Sequence, residues 1–314
     1  MSTREFTSTE TLTDSKWPHA HAVSRRWRER PIEFLLRLAG LSSIAITLGI
    51  VTILIVESVG FFGRVSLLEF LTGRYWTPLF ANPQYGILPL VAGTLVTTFV
   101  ALAVALPFGT IIGMYLSEFA PPLVREIVKP TLELLSAVPT VVYGYFALQF
   151  VTPMLQHVVP WLPAFNMLSA GLVMGVMIIP YVSSLSEDAM RAVPMLLREG
   201  AYAMGANRTI TAFRVVFPAA LSGIAAAYVL GISRAVGETM IVTLAAGQQP
   251  NLTLNPMQPG ETITAFIAQV SMGDLPHGSI GYQSIFATGL TLLLMTLVFN
   301  ILGYALRKRY RQVY

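Results

Sequence analysis

A chain of 314 residues that is 54% hydrophobic and 11% charged, with mean hydropathy +0.64, carries more apolar surface than a soluble core of ordinary composition hides, and belongs in a lipid bilayer. It has no cysteine, which excludes disulfides, thiol catalysis and thiolate metal sites, and its four histidines are too dispersed to form a cluster. The net charge of +4 does not point to nucleic acid, because the basic residues lie at the edges of apolar runs, where they report membrane topology.

Residues 1–33 read as an N-terminal tail followed by an interfacial segment. The first 21 are rich in Ser, Thr and charge, with no apolar run to serve as a signal peptide, and suit a disordered tail. Residues 25–37 then mix Arg with Trp, Phe and Leu, as a helix on an anionic leaflet does, although a plain topology anchor explains the same residues. A bilayer core of roughly 30 Å takes about 20 apolar residues in helix, and the first such run covers residues 38–56. Up to residue 86 the chain is mixed. Phe61, Phe62, Tyr75 and Trp76 beside Arg64 and Arg74 suit short helices in the far interface.

Residues 87–306 hold five further runs. The second span, about residues 87–114, contains Pro107, which is expected to kink or divide it. The third, about residues 132–151, has Glu133 near its start and Pro139 inside it. Residues 151–166, with three prolines and no Lys or Arg, read as a loop on the opposite side. The fourth covers about residues 167–185, the fifth 219–246 and the sixth 285–306, and a basic C-terminus, residues 307–314, ends the chain. Between the fourth and fifth lies a polar, helix-forming insert with Glu199, Arg208 and Arg214 exposed. In the last outer loop, Ile263, Phe266, Ile267 and Val270 recur at the spacing of one helical face, which predicts a short helix against the outer mouth.

Lys and Arg test this topology. Arg4, Lys16, Arg25, Arg26, Arg28, Arg30, Arg37, Arg125, Lys129, Arg191, Arg198, Arg208, Arg214, Arg307, Lys308, Arg309 and Arg311 fall on one side, and only Arg64 and Arg74 on the other. Both termini and the insert are therefore expected in the cytoplasm.

Arg234 alone remains inside a span, with Glu238 four residues on. Charge at mid-membrane costs about 2.5–3.5 kcal/mol even on insertion scales, so both are expected to face the protein interior and each other from one helix face. An internal ion pair that packs the bundle is one reading. The other is a guanidinium fork that meets a tetrahedral oxyanion while Glu238 weakens its grip and Ser233 and Thr239 add neutral donors. Glu187 and Asp188 read as a solvated cap, Glu118 as a boundary residue, and Glu133 as a structural carboxylate at a helix N-terminus.

The insert carries a resemblance. Glu199, Gly200, Ala201 and Gly205, followed by Val215, Phe217 and Pro218, resemble the EAA motif of ATP-binding-cassette importer permeases, with Gly200 in place of the first Ala. Arg234-Ala235-Val236-Gly237-Glu238-Thr239-Met240 is similar to the signature of PstC-type permeases of phosphate importers. Residues 136–144 and Ile178-Ile179-Pro180-Tyr181 are similar to that family's third- and fourth-span motifs.

The resemblance implies an all-α membrane protein of the type I, MetI-like permease fold in the bacterial inner membrane, with a cytoplasmic coupling helix around residues 199–210. It implies as partners a PstA-like second permease, a PstB-like ATPase dimer, a PstS-like periplasmic binding protein and a PhoU-like regulator. No Lys of this chain stands in a P-loop context, since Lys16 precedes Trp17, Lys129 precedes Pro130 and Lys308 precedes Arg309. ATP and its Mg belong on the partner, and no cofactor is expected here. The chain reads as a transport subunit for phosphate and not as an enzyme. Sulfate, molybdate or phosphonate transport is the nearest alternative, and an ion-coupled carrier or a membrane sensor of phosphate status the more distant ones.

Overall fold

In this computed structural model, residues 20–273, 276 and 278–309 are described, and the side chains only from residue 31 onward, without 306 and 309. The N-terminal tail, Arg311 and the side chains of the arginines at 25–30 lie outside the described residues. The chain divides into two units, Met1–Thr52 and Ile53–Tyr314. The first is, where described, the N-terminal part of one helix, α1 (Ala20–Phe62), with the side chains of residues 31–50 exposed. The stretch Pro31–Phe62 is long and apolar enough to cross a membrane.

The second unit begins with the end of α1 and the short α2 (Leu67–Thr72). Here the aromatic residues expected in the membrane interface are instead core. Phe61, Phe70 and Trp76 are buried and meet edge to face, and Trp76 also packs on Phe266 at 4.9 Å. Aromatic quadrupoles favour this geometry, and joining the rings removes far more apolar area from water than separate exposure does. Tyr75, Arg64 and Arg74 stay exposed.

Helix α3 (Leu88–Met114) runs unbroken through Pro107 and on into a π-turn at Tyr115–Phe119. Pro107 therefore does not divide it. A proline deletes one backbone donor, and a close-packed neighbour holds the helix on both sides of that gap. At Pro139 the outcome is the opposite. Helices α4 (Pro122–Ala137) and α5 (Thr140–Phe146) meet at 88°, so the expected third span is a bent pair. The residue before a proline is disfavoured in the α region, and Val138 is accordingly extended, with ψ 130°. Beyond a second π-turn at Ala147–Val151, α6 (Thr152–Val158) carries the helix past its expected end, with Pro153 accommodated in the first turn.

Helix α7 (Met167–Arg191) is capped by Asn166, whose Oδ1 accepts from the Ser169 amide at 2.8 Å. It packs along α3. Gly109 and Gly113 of α3 lie against Val182 and Ser183 of α7, while Gly171 and Gly175 of α7 lie against Val100 and Ala101 of α3. Two small-x-x-x-small pairs thus bring the backbones together, as is usual where lipid leaves packing as the driving force.

Next come α8 (Met195–Ala203), α9 (Arg208–Thr211), a third π-turn at Ala212–Val216 and α10 (Phe217–Val236). The insert is thus a helix over Met195–Ala203 that ends before Gly205, at φ +85°, and Arg208 already belongs to the next span. Helices α11 (Met240–Ala245), α12 (Ile263–Ser271) and α13 (Ile280–Arg309) complete the fold. The face of α12 bearing Ile263, Phe266 and Val270 closes the aromatic cluster. Among the described residues, five helices have the length and composition of membrane spans, or six if the bent pair counts as one.

Candidate functional site

Helix α10 ends two residues after Arg234, and this changes the geometry expected of the Arg234–Glu238 pair. Gly237 caps the helix, and Glu238 lies beyond it, so the two side chains no longer share a helical face and form no ion pair. The Glu238 Oε1 instead accepts from the amides of Met240 and Ile241 at 3.2 and 3.3 Å, at the start of α11. Its backbone carbonyl accepts from Thr264 Oγ1 of α12 at 2.6 Å. A buried carboxylate takes whatever donors lie closest, and two free amides at a helix start are well placed ones.

Arg234 lies over the ring of Tyr181, 4.2 Å from its centre, and its Nε is buried with no hydrogen-bond partner among the described residues. It lines a cavity of about 490 Å³ together with Glu133, Ser136, Pro180, Tyr181, Ser184, Leu185 and Leu230. Ser233 turns away, donating to Asn300 Oδ1 on α13 at 3.2 Å, and Thr239 does not line this cavity. Of the four residues the sequence offers for the pathway, only Arg234 lines this cavity.

Glu133 is the residue that sequence reasoning misplaced. It lies in the last turns of α4, exposed toward the Arg234 cavity, and not at a helix N-terminus. Tyr143 Oη donates to the Leu135 carbonyl at 2.7 Å across the α4–α5 bend and holds this segment in place.

Of the carboxylates that read as caps or boundary residues, Glu187 and Glu118 are buried rather than solvated. Glu187 is fully buried and gathers Arg125 at 2.6 Å, Lys129 at 3.4 Å and Arg191 at 3.9 Å, held by charge without an aligned hydrogen bond. Asp188 is the exposed member, paired with Lys129 at 3.0 Å. Glu118, 6% exposed, meets Arg198 of α8 at 2.9 Å. Beyond that anchor, α8 offers an outer surface of Met195, Leu196, Glu199, Tyr202 and Met204. Gly200 and Gly205 open onto free space, whereas Ala201 is buried within the chain.

A multi-pass helical membrane protein with a largely apolar cavity that holds Arg234 and Glu133, and a short helix with an exposed outer surface, has the architecture of an importer permease. Solved structures share the fold. They include a bacterial ABC transporter involved in the import of the acidic polysaccharide alginate (TM-score 0.62, 16% identity, 92% of this chain and 100% of that one). Another is the inward-facing MetNI methionine ABC transporter (TM-score 0.53, 17% identity, 72% and 95%). The chain belongs to the binding-protein-dependent transport system inner membrane component family, matched over residues 105–312.

Among its relatives is the probable ABC transporter permease protein YqgH of Bacillus subtilis, 35% identical over 76% of this chain and 77% of that protein. Two others carry the name phosphate transport system permease protein. One is PstC of Pasteurella multocida, 34% identical over 64% of this chain and 68% of that protein. The other is PstC 1 of Mycobacterium tuberculosis, 31% identical over 81% and 86%.

Proposed function

We propose that this chain is the permease subunit of an ATP-driven importer of inorganic phosphate, lining the pathway together with a second, PstA-like permease. The observation that carries the reading is the Arg234 guanidinium, which lines the cavity with no ion pair among the described residues, in a chain several of whose relatives are phosphate permeases by name. A half-buried cation without a counter-charge inside a membrane span is costly, and a membrane protein keeps one where a ligand supplies the missing charge. Tyr181 holds the guanidinium plane, so its fork is oriented before an oxyanion arrives. Ser233, Glu238 and Thr239 act as positioning residues that fix the turn after α10.

The cavity is not enclosed by this chain alone, which suits closure by the second permease. The free surface of α8 around Glu199, Gly200 and Gly205 suits docking of an ATPase dimer, which supplies ATP and Mg. The charge distribution supports both termini and α8 in the cytoplasm, with a PstS-like binding protein on the opposite face and a PhoU-like regulator on the cytoplasmic side. Arg198, clamped to Glu118, then carries motion of α8 directly into α3.

The test is uptake of labelled phosphate by vesicles containing the complete complex, with sulfate and molybdate as competitors. ATP-dependent uptake that resists both supports the reading. Uptake without the ATPase, or uptake blocked by sulfate, contradicts it.

A further inference from the structure

We propose that Glu133 is the acidic counterpart of Arg234 in the cavity and makes it selective for an oxyanion that still carries a proton. The inference rests on the transport reading above and assigns specificity within that same site. Among the described residues, Arg234 and Glu133 are the two charged ones that line the cavity, and no ion pair joins them, so both remain open to a ligand. Glu238, to which sequence spacing gives the acidic role, is committed to the amides of α11. Ser136 uses its one hydroxyl proton on the Glu133 carbonyl at 2.7 Å, leaving lone pairs toward the cavity, whereas Ser184 and Tyr181 bring hydroxyls with no partner among the described residues.

An ionised carboxylate only accepts hydrogen bonds. Opposite an anion it repels, unless the anion brings a proton to share. An oxyanion with a remaining O–H donates it to Glu133 while its other oxygens accept from the guanidinium, giving a charge-assisted bond at each end. Sulfate, fully ionised, offers the carboxylate nothing but lone pairs. Arg234 thus supplies attraction and Glu133 the filter. The opposed charge also loosens the grip of the guanidinium, which a site of passage needs.

The experiment is equilibrium binding of labelled orthophosphate and labelled sulfate to the purified complex of both permeases and the ATPase, in detergent and without the binding protein. The wild type is expected to bind phosphate and reject sulfate. E133Q should gain sulfate affinity by about tenfold or more, the scale of one charge-assisted hydrogen bond, while still binding phosphate. E133D should keep the rejection. Glu133→Ala serves where E133Q fails to assemble and should admit sulfate likewise. Any assembled variant lacking this carboxylate that still rejects sulfate overturns the proposal, as does a wild type that binds both anions. A wild-type complex that binds no phosphate, or an R234Q complex that binds it unchanged, instead overturns the transport reading itself.

Discussion

Arg198 on the exposed helix α8 closes onto Glu118 in the π-turn after α3, with Nη2 2.9 Å from Oε1 and Nε 3.4 Å from Oε2. The same guanidinium donates to the Val193 and Met190 carbonyls at 2.6 and 2.8 Å, so one side chain ties the α7–α8 corner to the end of α3. Breaking a buried pair from one side leaves an uncompensated charge and costs on the order of 3–5 kcal/mol. R198A is therefore expected to loosen α8 selectively, read as new proteolytic cleavage near residues 195–207 together with loss of ATP-coupled uptake. R198K should rescue only in part, because an ammonium cannot form the fork. Unchanged protection of α8 in R198A contradicts this anchoring.

The α3–α7 contact predicts a different failure. A Cβ on Gly175 meets the Ala101 carbonyl at 2.7 Å and Val104 Cβ at 2.9 Å, with backbone on one side and a β-branched side chain on the other. Gly175→Ala is expected to destabilise the protein by about 1–3 kcal/mol through overpacking, seen as a lowered Tm in detergent. Gly200→Ala, inside α8 and open to free space within this chain, should not lower Tm.

Glu261, between α11 and α12, gives a pH prediction. Burial pushes its carboxyl up to about 7, and among the described residues its Oε1 has no hydrogen-bond partner and no Lys or Arg lines the cavity beside it. From the ordinary carboxylate range up to about pH 7 the native state holds a proton that the unfolded chain has released, so stability falls as pH rises through that window and levels off above it. The total is on the order of 3 kcal/mol. E261Q should flatten the profile, with a higher Tm than wild type at about pH 8 and a similar one at about pH 5. Parallel profiles for the two proteins contradict the assignment.

How far the sequence could be read differs between these features for physical reasons. The spans were legible because a run of apolar residues long enough to cross a bilayer is a local property. The insert was legible because polar residues interrupt such runs. The Glu118–Arg198 pair was not, since its partners are 80 residues apart and each reads alone as a boundary charge. The Arg234–Glu238 pairing failed because i,i+4 geometry holds only while the helix continues, and Gly237 ends it.

Glu133 was misread because hydropathy marks where the apolar run begins, near residue 132, while the helix begins at Pro122 with an amphipathic stretch that has no buried residue. Three similar prolines, Pro107, Pro139 and Pro180, gave one break and two continuous helices. Which outcome occurs is set by the packing around each proline, and the chain's own letters do not contain it. The glycine pairs at 109 and 113 and at 171 and 175 did carry a readable four-residue signal for close helix contact.

The most direct test of the account is ATP-driven uptake of labelled phosphate by the reconstituted complex carrying R234Q, measured beside its ATP hydrolysis and subunit composition. The account predicts an intact complex that still hydrolyses ATP and takes up no phosphate. Uptake at the wild-type rate would contradict it, because the cavity guanidinium would then have no part in the passage of the anion.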